Sequence, residues 1–322
     1  MIKSNSNLLW SEKYRPKHID SVIGQENIVS SLKNMLKNGS FPHMLFHGIS
    51  GTGKTSIIMA LARELYGDNF TFMIMKLDAS DDRGINSVRE EIKGFAEKIT
   101  IFNKGIKLII LDEADSMTFD AQFALRRIIE KYSDTTRFCL ICNYENKIIS
   151  AIKSRCANFR FNPIKDKFLI EKLDKIAKLE KVKINNKSLK IIAKLSNGDF
   201  RKSINLLQST SLRSNTIDEN VCYDVAGIPS IKVMDKIFNV LTNDKYDFNK
   251  VYKIFNKKLN KGYSVSIILK ELISRIIKNI ELFDDSRLAR ILSELSDLES
   301  KVSKSTFGDI YLTSIISVFK SF

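Results

Sequence analysis

Residues 44–55 read MLFHGISGTGKT, and this stretch decides the fold. A short apolar run precedes a Gly-x-x-x-x-Gly-Lys-Thr segment, which opens a predicted helix. The glycines let the backbone wrap a phosphate, exposed N–H groups and the helix N-terminus face the anion, and Lys54 adds a positive charge. The Thr55 hydroxyl is a candidate Mg²⁺ ligand. The pattern predicts a nucleotide phosphate-binding loop made of Gly48, Ile49, Ser50, Gly51, Thr52, Gly53, Lys54, Thr55 and the following Ser56.

Around this loop, short apolar runs alternate with helical patterns as far as Phe161. The strand candidates are residues 44–46, 72–75, 108–111, 138–141 and 159–161. Between them lie helical patterns such as residues 117–132, where apolar side chains form one stripe. Strands that alternate with helices predict an α/β fold with a parallel sheet covered on both faces.

After Pro163 the pattern becomes helical. Helices are predicted near residues 166–180, 187–196 and 200–212, with Asp199 as the N-cap of the last. Beyond Pro229 apolar residues recur at spacings of three and four, which indicates a helical core or, for part of them, contact with another subunit. The two stripes are Val265, Ile268, Leu272, Ile276, Ile280 and Leu288, Ile291, Leu292, Leu295, Leu298, Val302. We predict domains at 1–161 (α/β), 162–226 (small helical lid) and 227–322 (all-α collar).

A second chemical signal lies at residues 108–115, LIILDEAD. An apolar strand that delivers Asp112 to its carboxyl end places a carboxylate where it can hold Mg²⁺ through water. Glu113 can orient an attacking water molecule and accept its proton. By itself, an Asp-Glu pair at the end of a strand is more often a solvated polar end than a functional site. Together with the upstream loop it favours nucleotide hydrolysis.

Composition limits the remaining classes. The 322 residues carry 52 Lys+Arg and 37 Asp+Glu, a net charge of +15, with +5 in each of residues 1–160, 161–225 and 226–322. This surplus favours a polyanionic partner or is a solvated lysine-rich surface. No apolar run approaches the ~20 residues of a membrane span, and the opening residues do not resemble a signal peptide. Four cysteines suit a reducing compartment, and the strand holding Cys139 and Cys142 would place their thiols on opposite faces, so no zinc site is predicted.

Seven further segments carry a family resemblance. They are residues 10–16 (WSEKYRP), 22–26 (VIGQE), 78–85 (DASDDRGI), 112–115 (DEAD), 142–144 (CNY), 154–156 (SRC) and 198–202 (GDFRK). With the phosphate loop, they resemble the small subunits of replication factor C, the sliding-clamp loader among the AAA+ ATPases. The match covers nearly all of the N-terminal two-thirds. The last hundred residues are similar in length and helical character only.

The resemblance implies roles around the nucleotide. Asn143 would be the polar sensor of the attacking water, Arg155 an arginine finger for a neighbouring subunit's γ-phosphate, and Arg201 a second sensor on the lid. Read without the family, Arg155 is a basic residue at a loop end. The adenine end would be lined by Tyr14, Arg15, Val22 and Ile23, with mere packing as the less favoured alternative for Tyr14. One departure concerns Ile49 and Ser50, which stand where the family usually has two prolines.

The resemblance also implies partners: other loader subunits, large and small, a sliding clamp and primer–template DNA. Arg83, Arg89 and Lys93 would contact DNA phosphates rather than bases. The alternative is a solvated charged face, because Glu90, Glu91 and Glu97 are interleaved. Residues 101–105 (IFNKG) resemble the segment that touches the clamp, or they are simply buried.

The expected function is therefore that of an ATP- and Mg²⁺-dependent clamp-loader ATPase. It would help to open a sliding clamp and load it onto primed DNA during replication, with hydrolysis releasing the clamp. It would act inside the cell, in the nucleus of a eukaryote and otherwise in the cytoplasm. A AAA+ branch-migration motor or protein remodeller is an alternative, although the chain lacks an obvious aromatic pore loop or winged helix. The other alternative, a scaffold subunit that does not hydrolyse ATP, is disfavoured by Lys54, Glu113, Asn143 and Arg155.

Overall fold

The computed structural model of the chain describes residues 9–39, 41–79, 85–98, 105–214, 216–243, 245–259, 262–305 and 308–320. The chain forms two compact units, one ending at Gln208 and one beginning at Ser209. The three domains with boundaries after residues 161 and 226 remain a prediction.

The first unit is built on a five-stranded parallel sheet in the order β2-β3-β4-β1-β5. The α/β fold predicted from the alternation of strands and helices is confirmed. The strands are β1 (His43–Gly48), β2 (Ile74–Asp78), β3 (Lys107–Asp112), β4 (Thr136–Cys142) and β5 (Cys156–Phe161). In this order β4 lies between β1, which leads into the phosphate loop, and β3, which ends at Asp112. Asn143, the residue after β4, therefore lies at the carboxyl edge of the sheet between these two strands.

Helices cover both faces of this sheet. They are α1 (Trp10–Lys13), α2 (Glu26–Asn38), α3 (Lys54–Tyr66), α4 (Phe70–Met73), α5 (Ile85–Glu97), α6 (Phe119–Lys131) and α7 (Ser150–Lys153). Successive strand residues enter opposite cores, as the period of two requires. Cys139 packs with Ile57 and Leu61 on one face, and Cys142 packs with Leu125 and Ile129 on the other. The prediction that these two thiols face opposite sides of the strand is therefore confirmed.

The strand predicted at residues 72–75 was placed too early. Residues 70–73 form the short helix α4, and the strand begins at Ile74, where β2 pairs with Leu108 of β3. Phe72 is 71% exposed. A run of four apolar residues has no periodicity that separates strand from helix, and here the pairing with β3 decides.

Three helices follow the sheet: α8 (Asp166–Leu179), α9 (Asn186–Ser196) and α10 (Phe200–Arg213). A two-residue strand, β6 (Lys183–Ile184), lies between α8 and α9. The Asp199 carboxylate accepts a hydrogen bond of 2.9 Å from the Lys202 N–H, which confirms the predicted N-cap of α10.

In the described residues of the second unit, the secondary structure is helical apart from a two-residue strand, β7 (Thr216–Ile217). Its helices are α11 (Glu219–Ala226), α12 (Ile231–Thr242), α13 (Phe248–Leu259), α14 (Val265–Lys278), α15 (Asp285–Lys304) and α16 (Leu312–Lys320). Both predicted stripes enter one core, in which Ile268, Leu272, Ile291 and Leu295 are fully or almost fully buried.

Ile280 does not belong to that core, contrary to the predicted stripe. The helix α14 ends at Lys278, and Ile280 lies in a single 3₁₀ turn where it is 47% exposed. The Asn279 side-chain amide donates a hydrogen bond of 2.8 Å to the Arg275 carbonyl, which closes the helix end locally. Within the described residues, no helix has the length and apolar composition to cross a bilayer.

Candidate nucleotide site

A cleft of about 300 Å³ lies at the carboxyl edge of the sheet, where ligands bind in open α/β folds. The phosphate loop forms its floor, and the ends of β3 and β4 bring in Asp112, Glu113 and Asn143. Residues of the N-terminal segment, β2, α8 and α10 also contribute to its wall. The structure thus brings into one cleft most of the residues that the sequence assigned to the nucleotide.

Two glycines make the phosphate loop possible. Gly48 has φ +138°, and a Cβ there would lie 2.3 Å from the Phe161 carbonyl oxygen. Gly51 has φ +68°, and a Cβ there would lie 1.7 Å from the Asp199 carboxylate. The loop is therefore pressed between the end of β5 and the start of α10, where the Phe200 N–H donates to the Gly51 carbonyl at 3.1 Å. Only residues without a side chain fit those two positions.

Lys54 is the buried cation of the loop. Its side-chain ammonium donates three hydrogen bonds, to the carbonyls of Gly48 (2.7 Å) and Ile49 (2.9 Å) and to Oδ1 of Asn143 (3.0 Å). These acceptors satisfy all three N–H donors of the ammonium. Burial lowers the pKa of Lys54, while nearby carboxylates such as Asp112 act in the opposite direction. The charge is therefore held at the loop by acceptors that a phosphate could replace.

Asp112 lies where the motif requires it. Its Oδ2 accepts a hydrogen bond of 3.0 Å from the Thr55 hydroxyl and lies 3.3 Å from the ammonium of Lys76 on β2. The hydroxyl and the carboxylate together form an oxygen donor set. Oxygen donors of this kind are the protein ligands that Mg²⁺ accepts beside substrate phosphates.

Glu113 and Asn143 line the same cleft as Asp112. Glu113 has φ +53°, a left-handed conformation at the end of β3, and its side chain is exposed at the cleft. Asn143 follows β4, and its backbone N–H donates to the Asp115 carboxylate at 3.2 Å, as the Tyr144 N–H does at 3.1 Å. Asp115 thus fixes the turn that presents the Asn143 side chain to Lys54.

The residues predicted for the adenine end, Tyr14, Arg15, Val22 and Ile23, also line the cleft. Arg201, near the start of α10, lines it as well, and its backbone nitrogen lies beside Gly51 of the phosphate loop. Arg201 is exposed, so it is available to an anion in the cleft.

Arg155 does not line the cleft. It follows α7, and its guanidinium lies 2.5 Å from Glu130 of α6 and donates to the Ala151 carbonyl at 2.7 Å. Glu130 also accepts a hydrogen bond from Arg126 at 3.0 Å, and that bond with the neighbouring Arg155 charge lowers the pKa of the carboxyl. The arginine is a surface group, 35% exposed, held by its own chain.

The predicted DNA and clamp contacts fall largely outside the described residues. Arg83 and residues 101–104 lie there, and for Arg89 only its place on α5 is described. Lys93 is exposed on the same helix.

Several neighbours of the site were not predicted. Lys76 contacts Asp112, Asp115 holds the Asn143 turn, Glu130 holds Arg155, and Glu180 contacts the segment around Tyr14. Asp115 stands inside the DEAD segment, so its position was a usable signal. The other three are single charged residues in ordinary helical or strand patterns, and no spacing marks them.

Three family models match the chain in succession. They are the ATPase family associated with various cellular activities (AAA) at residues 44–164, the RCF1/5-like AAA+ ATPase lid domain at 171–212 and the replication factor C C-terminal domain at 229–318. The third match extends the likeness to the segment where the sequence showed only length and helicity.

Relatives match over nearly the whole chain. Replication factor C subunit 5 of Homo sapiens is 42% identical over 98% of this chain and 92% of its own length. Replication factor C subunit 3 of Saccharomyces cerevisiae is 40% identical over 99% and 95%. Among solved structures, a mutant of Thermotoga maritima RuvB has a TM-score of 0.53 at 20% identity, covering 75% of this chain and 86% of that one. This last likeness shows the AAA+ fold alone.

Proposed function

The chain belongs to the replication factor C subunit family of AAA+ ATPases, the clamp loaders of DNA replication, and on that premise we propose how its residues do this work. The observation that carries the proposal is the convergence of Lys54, Thr55, Asp112 and Asn143 within hydrogen-bond distance at one cleft. These are the groups that ATP phosphates and their Mg²⁺ need, and they come from the start of α3 and from the ends of β3 and β4.

ATP binding would begin with an exchange of partners at Lys54. The phosphates replace the carbonyls of Gly48 and Ile49 as acceptors, while the N–H groups at the start of α3 face the same anion. Arg201 adds charge from α10. Tyr14, Arg15, Val22 and Ile23 enclose the base end, and the remaining loop residues supply backbone contacts.

Mg²⁺ fits this site. The Thr55 hydroxyl and the Asp112 carboxylate, 3.0 Å apart, are the residues that would hold it. Among the described residues no cluster of three or more His, Cys, Asp or Glu could bind a metal ion. A two-ligand protein site agrees with an ion that takes its other ligands from water and phosphates. When bound, Mg²⁺ neutralises charge on the phosphate oxygens.

Hydrolysis would place a water molecule between Glu113 and the γ-phosphorus. Glu113 accepts a proton from the water molecule while the water oxygen bonds to the γ-phosphorus. The bond between that phosphorus and the ADP oxygen breaks in the same step. Asn143 orients the same water, and Asp115 holds the Asn143 turn. Lys54 stays with the transferred phosphoryl group.

Arg155 would act on a neighbouring subunit. Its position outside its own cleft and at the surface supports a target on another chain. An arginine supplied from outside stabilises the charge of the phosphoryl-transfer transition state. The partners proposed are therefore other loader subunits, large and small, around an arc of shared sites.

The DNA and clamp contacts complete the proposal. Arg83, Arg89 and Lys93 would follow the phosphates of primer–template DNA, and residues 101–105 would touch the sliding clamp. Opening and loading of the clamp would use bound ATP, and hydrolysis would release the closed clamp. The lid (162–226) would close in response to the bound nucleotide, and the collar (227–322) would hold the assembly together. This work belongs in the compartment of the genome, the nucleus in a eukaryote and otherwise the cytoplasm.

The test is steady-state ATPase of the chain alone and in its assembly, with and without primed DNA and the candidate clamp. We expect low activity alone and strong stimulation when DNA and clamp are both present. Unprimed single-stranded DNA is the control. Activity that ignores the clamp would contradict the clamp-loading role.

A further inference from the structure

The N-terminal strap, defined here as residues 9–16, forms part of the wall of the nucleotide cleft, with Tyr14 and Arg15 among its lining residues. It has one short helix, α1, and none of the α1 residues is buried. A segment with so little core contact needs other contacts to hold the Tyr14 ring in place.

Those anchors come from the helices that follow the sheet. The Tyr14 hydroxyl and the Lys13 ammonium both donate to Oε1 of Glu180, the latter at 2.6 Å. The backbone N–H of Trp10 donates to Oε1 of Gln208 on α10 at 3.1 Å. Glu180 comes directly after α8, and its side chain is 16% exposed.

Beyond Pro16 the attachment changes. Ile19 is fully buried against the core that contains α3, and its N–H donates to Glu64 of α3 at 3.2 Å. Lys17 and His18, between the two attachments, are exposed. The chain thus passes from the helices after the sheet to the α/β core between Tyr14 and Ile19.

The charges at the anchor agree with this geometry. Burial opposes ionisation of Glu180, but the hydrogen bonds from Lys13 and Tyr14 outweigh it and lower the pKa of the carboxyl. Burial and the bond to Glu180 raise the pKa of Tyr14 to about 12. At neutral pH a carboxylate therefore accepts from a protonated phenol and an ammonium, a charge-assisted arrangement.

We propose that Glu180 is a positioning residue that ties the base end of the nucleotide cleft to α8, beside the Gln208 contact with α10, so that Tyr14 moves with these helices and not with the sheet. The same unit of helices carries Arg201 at the phosphate end of the cleft. A movement of α8 and α10 therefore brings the Tyr14 ring and the Arg201 guanidinium to ATP together. This inference rests on the proposed function, because it assigns Tyr14 to the ATP site.

The test compares two ligands of the full chain, ATP and inorganic tripolyphosphate, by titration calorimetry. Glu180→Ala should weaken ATP about tenfold, the scale of one hydrogen bond to a charged group. It should leave tripolyphosphate unchanged, because that ligand does not reach the strap. Glu171→Ala, an exposed residue of α8, is the matched control and should leave both affinities unchanged.

Two further variants sharpen the result. Tyr14→Phe keeps the ring and loses the bond to Glu180, so it should weaken ATP by part of the same factor, and the double variant should lose less than the sum. Trp10, the only tryptophan of the chain, reports the strap directly. Its emission should change in Glu180→Ala without ligand and stay unchanged in Glu171→Ala.

Equal weakening of ATP and tripolyphosphate by Glu180→Ala would overturn the proposal, because it would show a general loss of structure. So would an unchanged ATP affinity. If Glu180→Ala does not fold, Glu180→Gln decides by the same pair of ligands, with a smaller and still ATP-selective loss expected. Clamp-independent ATPase in the assembly would refute the proposed function while the two-ligand comparison in the isolated chain could still succeed.

Discussion

Lys54 and Arg155 are two cations of the same unit with opposite surroundings. Lys54 is 7% exposed and surrounded by acceptors of its own loop and Asn143, inside the cleft. The Arg155 side chain is 35% exposed and bound to Glu130, outside that cleft. This contrast agrees with the proposed roles, in which Lys54 binds the phosphates of its own cleft and Arg155 serves the site of a neighbouring subunit.

The largest effect is expected from removing the cation outside the cleft. Arg155→Ala should lower the hydrolysis rate at the neighbouring subunit's site by about 10³–10⁵-fold, the range known for arginine fingers. ATP affinity of the isolated chain should stay unchanged, because Arg155 does not line its own cleft. Single-turnover rates and equilibrium binding measure the two quantities. Arg160→Ala, an exposed arginine of the following strand, is the control.

An assembly that combines the variant subunit with unchanged partner subunits tests whether Arg155 acts on a neighbouring site. An assembly that carries Arg155→Ala in this subunit should lose hydrolysis at the adjacent site and keep its own. Loss confined to its own site would refute the comparison between the two cations.

Glu113→Gln should have the next largest effect. It removes the proposed proton acceptor and leaves shape and hydrogen bonding nearly intact, so hydrolysis should fall about 10²–10⁴-fold. ATP affinity should change by less than twofold, because neither Lys54 nor Asp112 is altered. A rate near that of the wild type would reject Glu113 as the base and point to another acceptor in the cleft.

Lys54→Ala should act mainly on ATP binding and less on the hydrolysis step. The loss of one charged hydrogen-bond donor to the phosphates predicts an ATP affinity lower by about 10- to 100-fold. Calorimetric titration of the isolated chain measures it, with Lys37→Ala at the end of α2 as the control. If affinity is unchanged, the three acceptors seen in the structure hold Lys54 away from the ligand.

Glu130→Gln should have the smallest effect and the opposite sign. Arg155 must leave Glu130 to reach a neighbour, so a weaker grip should raise the finger-dependent ATPase rate when this subunit is limiting. Exposed ion pairs contribute little, so a few-fold increase at most is expected. Asp120→Asn on the same helix is the control. A fall in rate would show instead that Glu130 orients the finger.

The sequence predicted most of the first unit because its signals are local. The phosphate loop is contiguous, and Asp112, Glu113 and Asn143 each follow a recognisable strand. Prediction was wrong where a short run lacked periodicity, at residues 72–75, and where a helix cap ended a stripe, before Ile280. In the first case the pairing with β3 decided where the strand begins. In the second case the hydrogen bond of the Asn279 amide closed the helix end.

The phosphate-loop residues that line the cleft follow from the sequence alone, because closely spaced glycines before a helix N-terminus dictate that local geometry. Only the tertiary structure decided which charges hold them. Tyr14 meets Glu180 across 166 residues, and Lys54 meets Asn143 across 89. Such pairs depend on how strands and helices pack, and a charged residue in a helical pattern carries no mark of its distant partner. The physical reason is that backbone conformation depends on neighbours in sequence, whereas the partner of a side chain depends on neighbours in space.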